Sequence, residues 1–242
     1  MYPPYVDDAL RRGVRVLAVD RPGMGGSTRR AGYRVVDCAE DVRAIADALQ
    51  LDRIAVWGIS GGGPFALACA ATLADLVWAA ASVEGFTPDA DGATEARWDD
   101  LDATRAEFAE RAAADVERSA SLDASFEYYF SEDLCPADVA ALRGSAGAWF
   151  AADALDALAV GGDGWFDEQF ATAHDWGFDL ADITVPVLIM HGRRDTWVDP
   201  TEASRLASAI PGSVLRIADD DGHISLGDRL PEVTEWLLAH RS

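Results

Sequence analysis

Apolar residues follow two rhythms along this chain: short, mostly apolar runs, and stripes at helical spacing. The runs are Val14 to Val19, Ile54 to Ile59, Val77 to Val83, Val185 to Met190 and Val214 to Ala218. Runs this short, bounded by turn-forming residues, predict strands. Between them the spacing changes. Val42, Ile45, Ala46 and Leu49 stand three and four apart, as do Ala203, Leu206, Ala207 and Ile210, and then Val233, Trp236, Leu237 and His240. Each set predicts one apolar helix face. Asp37 and Glu40 have capping-box spacing ahead of the first set. Pro200 and Pro231 stand where the later helices begin, where a missing N–H costs nothing. Phe65 to Leu73 is an Ala-rich helical stretch. Strand alternating with helix implies a parallel sheet covered on both faces. In such sheets the chemistry sits at the carboxyl ends of the strands.

The alternation stops at about Thr87 and resumes after Leu180. The stretch between is rich in Ala, acidic residues and aromatics, including Phe126, Tyr128, Tyr129, Phe130, Trp149, Phe150, Trp165 and Phe166. It reads as a helical insertion over 87–180, with 1–86 and 181–242 forming the α/β core. Taken singly, each aromatic is better read as packing between helices than as a binding wall.

With 242 residues, half of them hydrophobic, the chain can build one sizeable core. No apolar run is long enough to span a bilayer. The opening Met1-Tyr2-Pro3-Pro4 lacks the basic and apolar regions of a signal peptide, so a cytoplasmic protein is expected. A net charge of -22 argues against nucleic acid and anionic membranes as partners, because both repel an acidic protein. Cys38, Cys69 and Cys135 are odd in number and widely separated, so reduced thiols are expected rather than a disulfide framework or zinc site. No metal or organic cofactor is implied.

The chemistry concentrates at three strand ends. Gly58-Ile59-Ser60-Gly61-Gly62 lies between an apolar run and a helical stretch. A strand turning sharply into a helix at a serine exposes the hydroxyl and aims helix N–H groups towards it. The competing reading is a serine that merely caps the helix. Asp195 follows the run ending at Met190, and His223 follows the run ending at Ala218. A serine becomes a useful nucleophile when an imidazole takes its proton and a carboxylate orients that imidazole. His223 is the favoured base, whereas His191, His174 and His240 read as structural. Asp195 is favoured over Asp199, which suits a helix cap, and over Glu84, which follows another strand.

These segments resemble the α/β-hydrolase superfamily. The resemblance rests on Asp20-Arg21-Pro22-Gly23-Met24-Gly25-Gly26-Ser27, on Val56 to Ala68, on Val185 to Asp195 and on Asp221-Gly222-His223. It implies an α/β-hydrolase fold with a mostly parallel sheet and a helical cap insertion. Ser60 would be the nucleophile, His223 the general base and Asp195 its orienting acid, with the Gly61 N–H as one oxyanion donor. The Asp20 to Ser27 loop would shape one wall of the site. The family begins with strands and a His-Gly loop that supplies a second oxyanion donor. Here the start, Pro3 to Leu10, resembles the first helix instead, so an N-terminally truncated fold is expected.

The reaction this implies is cleavage of a small ester, lactone or related acyl bond, with a small-molecule acyl substrate. Serine at position 60 speaks against haloalkane dehalogenation and epoxide opening, for which the family usually places Asp there. Two alternatives remain open from the sequence: a catalytically impaired hydrolase-fold protein or binding module, and an acyltransferase in which an alcohol replaces water.

Overall fold

The computed structural model describes residues 1–88, 98–119 and 134–241. They fall into two compact units: Met1–Tyr33 with Asp91–Ala171, and Arg34–Ala90 with Thr172–Ser242. Elements are numbered in chain order.

The second unit is the α/β layer structure. Strands β1 (Ile54–Ile59), β2 (Val77–Val83), β3 (Val187–Gly192) and β4 (Val214–Ala218) form one sheet in the order β1-β2-β3-β4. All neighbours run parallel. The two middle strands carry the core: Ala79, Ala80 and Ala81 of β2 and Leu188 of β3 are fully enclosed. β1 has one strand neighbour among the described residues and is half-buried throughout.

Helices α2 (Cys38–Ala48), α3 (Gly63–Thr72), α8 (Thr201–Ala209) and α9 (Leu230–Ala239) belong to the same unit. α3 is apolar all round and is buried from Gly63 to Ala70, as its Ala-rich sequence requires. Its small side chains allow close approach to the Ala-rich β2. Within this layer the thiols of Cys38 and Cys69 lie 3.7 Å apart, and Cys38 donates to the Phe65 carbonyl at 3.3 Å. Both cysteines, like Cys135 in the other unit, are buried and unbridged.

The first unit holds α1 (Pro3–Arg11), α4 (Leu101–Ser119), α5 (Pro136–Arg143), α6 (Ser145–Leu158) and α7 (Asp163–Ala173). Phe108 on α4 meets Trp165 and Phe166 of α7 edge-on, with centroids 5.0 and 5.9 Å apart. These aromatics pack helix against helix, in the geometry that the ring quadrupole favours. Phe126, Tyr128, Tyr129 and Phe130 lie outside the described residues. The Asp20 to Ser27 loop is tied to α7. Arg21 grips Glu168 with two hydrogen bonds of 2.9 and 2.8 Å, and Arg29 reaches Asp163 and Asp167.

Two local expectations are corrected. Val14 to Val19 forms no strand, and Leu17 and Val19 are exposed. An extended run becomes a strand only against a neighbour that completes its hydrogen-bond ladder. None lies beside it among the described residues. Asp37 does not cap α2; its carboxylate accepts the Arg34 N–H at 3.0 Å and closes the 3-10 turn before that helix. Among the described residues, no helix is long and apolar enough to cross a membrane.

Candidate active site

Four parallel strands put four residues on one edge of the sheet. Ser60 follows β1, Glu84 follows β2, Asp195 lies in the loop after β3 and His223 in the loop after β4. All belong to the second unit.

Ser60 sits at a sharp elbow. Ile59 is extended, Ser60 adopts φ 51°, and a 3-10 turn over Ser60–Gly62 leads into α3. A positive φ is costly for a residue with a β-carbon, by about 1–2 kcal/mol. The glycines make the elbow sterically possible. A β-carbon at Gly58 would overlap the Gly62 carbonyl, and one at Gly63 would stand 2.6 Å from the Ser82 hydroxyl oxygen. Ser60 itself is half-exposed, so its hydroxyl is not sealed in the core. Gly61 is the next residue of the turn, directly ahead of the α3 N-terminus.

Asp195 and His223 are brought together. His223 Nδ1 donates to Asp195 Oδ2 at 2.8 Å, and both residues are buried. The backbone around them fixes this pairing. Arg193 N–H donates to the Ala218 carbonyl at 2.9 Å and Arg194 N–H to the Asp221 carbonyl at 3.0 Å, so the loop after β3 is laced to the loop after β4. Gly192 allows the crossing, because a β-carbon there would lie 2.5 Å from the Asp221 carbonyl oxygen. Gly222 N–H donates to Ser225 Oγ at 2.9 Å and holds the turn that carries His223.

The Asp195 carboxylate is fully engaged. Oδ1 accepts the N–H groups of Trp197 and Val198 at 2.8 and 3.0 Å. Oδ2 accepts His223, and His191 Nε2, which meets the Val198 carbonyl at 3.2 Å, lies 3.1 Å from the same oxygen. Burial alone would push this carboxyl up. The contacts with His191 and His223 and the Val198 N–H outweigh it and hold Asp195 well below the usual carboxylate range. Asp195 is therefore an anion at neutral pH. In the neutral tautomer that carries its hydrogen on Nδ1, the acceptor nitrogen of the His223 ring is Nε2.

The competing residues have other tasks. Asp199 accepts the N–H of Thr201, the first residue of α8, at 2.8 Å. His240 meets the Trp236 carbonyl at 2.8 Å on α9, and His174 is exposed. Glu84 is fully buried with φ 52°, and its carboxylate lies within 4.8 Å of ligating atoms of Asp195 and His223. Glu84, Asp195 and His223 are thus close enough to surround a cation. Asp195, whose oxygens already accept three N–H donors, is poorly placed to serve one. Two neighbours of the dyad were not read as part of the site. Trp197 lies against the His223 ring, with centroids 5.0 Å apart, and is itself half-exposed. His191, read as structural, is buried and meets the Val198 carbonyl at 3.2 Å, with its Nε2 also 3.1 Å from Asp195 Oδ2. The usable signal was position: both stand within four residues of Asp195.

Residues 1–230 match the family described as alpha/beta hydrolase fold. The chain belongs to this family. It is 29% identical over 233 residues to AB hydrolase superfamily protein YisY of Bacillus subtilis (strain 168), covering 92% of this chain and 80% of that protein. Among solved structures it is similar to an esterase (EaEST) from Exiguobacterium antarcticum, at TM-score 0.68 and 24% identity over 98% of this chain and 84% of that one. It is also similar to the enol-lactonase from Burkholderia xenovorans LB400, at TM-score 0.67 and 22% identity over 99% and 85%. At those identities the two structures speak for the shared fold. Family membership makes this chain an α/β-fold hydrolase.

Proposed function

We propose that this α/β-fold hydrolase is a serine hydrolase that cleaves a small ester, lactone or related acyl bond. The observation that carries the reading is the 2.8 Å hydrogen bond from His223 Nδ1 to buried, anionic Asp195, on the sheet edge where Ser60 sits in its strained elbow. In this reading His223 Nε2 takes the Ser60 proton as Oγ attacks the acyl carbon. The carbonyl oxygen becomes an oxyanion facing the Gly61 N–H and the start of α3. When the carbon–oxygen bond to the leaving group breaks, His223 delivers its proton to that oxygen, leaving an acyl ester on Ser60. Water attacks this ester, His223 accepts and returns the proton, and the carboxylic acid departs. Asp195 keeps its charge throughout and stabilises the imidazolium.

A p-nitrophenyl acetate assay with acid quench tests this. Release of p-nitrophenol should accompany an acetyl group on Ser60, found by peptide mass spectrometry. Turnover without Ser60 acetylation, undiminished by Ser60→Ala, would overturn the reading. An alcohol added as a competing acceptor separates hydrolysis from acyl transfer by the product formed.

A further inference from the structure

Cys38 opens α2, Cys69 lies on α3, and their sulfurs stand 3.7 Å apart. Both residues belong to the second unit, and both thiols are free and buried. The geometry places their hydrogens. Cys38 Sγ donates to the Phe65 carbonyl at 3.3 Å, so in the contact between sulfurs Cys69 is the donor and Cys38 the acceptor. A helix commits that same Phe65 carbonyl to the N–H four residues on, which is the N–H of Cys69. The Cys38 thiol is thus aimed at the turn of α3 that carries Cys69. Losing its hydrogen would orphan no buried acceptor, because the carbonyl keeps its helix partner. A disulfide needs sulfurs about 2.05 Å apart, so the gap to close is about 1.6 Å. That gap divides between two side chains, each able to swing its sulfur about one Cα–Cβ bond.

We propose that Cys38 and Cys69 form a modification site: a small peroxide converts them to a disulfide that staples α2 to α3. The chain between them holds β1 and the Ser60 elbow, so the staple encloses the segment that presents Ser60. It stands whether or not Ser60 is a nucleophile. Cys38 is 7% exposed and Cys69 3%, which admits a small neutral oxidant and leaves no room for a bulky one. The first thiolate attacks one peroxide oxygen, the O–O bond breaks, and a sulfenic acid and one water result. The second sulfur then attacks the sulfenic sulfur and displaces its oxygen as a second water. In sum two thiols and one hydrogen peroxide give one disulfide and two waters: the sulfurs are oxidised by two electrons and the peroxide is reduced by two. Burial slows the first step. The second is fast, because the two sulfurs are already in contact.

The test is to treat the purified full chain with hydrogen peroxide, alkylate it in denaturant and map the cysteines by mass spectrometry. A peptide pair joined through Cys38 and Cys69 is expected, and dithiothreitol should restore both thiols. Cys135, as little exposed as Cys38 but in the other unit, should not enter that bridge. Closing a loop over 31 positions should raise Tm by roughly 5–10 °C, reversibly. Cys38→Ser and Cys69→Ser should each abolish the bridge and the rise, and Cys135→Ser should keep both. If a serine variant does not fold, Cys69→Ala replaces it, and the wild-type map needs no variant. Folded wild type whose Cys38 and Cys69 stay thiols, or reach sulfinic acid unbridged, would defeat the proposal. A 38–69 bridge that leaves Tm unmoved would defeat the staple.

Discussion

Gly58 and the carbonyl of Gly62 stand so close across the elbow that a β-carbon at position 58 would overlap that oxygen. The chain doubles back on itself between them, and Ser60 is the residue at the apex. The neighbour is backbone at the start of α3, so it cannot swing aside as a side chain would. Gly58→Ala is expected to destabilise the protein by about 1–3 kcal/mol, the usual cost of overpacking. For a chain of this size that lowers Tm by roughly 2–12 °C. Thermal denaturation checks it; an unchanged Tm would mean that the elbow is looser than described.

Ser60 occupies a conformation that suits glycine better than serine, with φ 51°. Ser60→Gly and Ser60→Ala both remove the nucleophile and should both abolish turnover. They should differ in stability. The alanine retains a β-carbon in the left-handed region, so the glycine variant is expected to be the more stable by about 1 kcal/mol. Urea denaturation of the two, side by side, reads this directly. Equal stabilities would remove the case for strain at the apex.

Asp195 gives the protein an acid-sensitive component of stability. Its carboxyl is held below the usual range in the fold, while in the unfolded chain it titrates near about 3.9. A depressed folded-state value stabilises the fold at pH above the unfolded value, and that contribution is lost as pH falls through the folded-state value. The stability gap between wild type and Asp195→Asn should therefore be flat above about pH 5 and shrink below about pH 4. Urea melts across that range measure the gap. A gap that stays constant to the lowest pH would show that Asp195 is not the anion described.

Arg29 ties the loop after Ala18 to α7 through Asp163 and Asp167. Its guanidinium is held above its ordinary range chiefly by the hydrogen bond to Asp167. Arg29→Met should speed amide hydrogen exchange in residues 20–30, and added salt should narrow the difference, since these charges are partly exposed. Unaltered exchange there would mean that the loop holds itself without α7.

The hydropathy pattern disclosed the parts of the fold whose burial is decided locally. Ile54–Ile59, Val77–Val83 and Val214–Ala218 were legible because their apolar runs end at turn formers, and the helices because their apolar faces repeat at three and four. Val14 to Val19 shows the limit of that reading. Its residues suit a strand, but strand formation depends on a partner that composition cannot supply. The sequence read residues 1–86 with the strands; in the structure 1–33 cluster with 91–171, a grouping set by contacts such as those of Arg21 and Arg29 with α7. At the site, Ser60, Asp195 and His223 could be placed at strand ends by position alone. That His191 lies beside the oxygen that binds His223, and that Trp197 lies against the His223 ring, depends on the conformation of two loops. No periodicity encodes that.

The most direct test of the account is covalent labelling. Purified protein treated with a fluorophosphonate should carry the phosphonyl group on Ser60, identified by mass spectrometry, and both Ser60→Ala and His223→Ala should abolish it. That result would show the hydroxyl activated by the base the geometry supplies. Folded wild-type protein that takes no label, or takes it elsewhere, would contradict the assignment of Ser60 as the nucleophile.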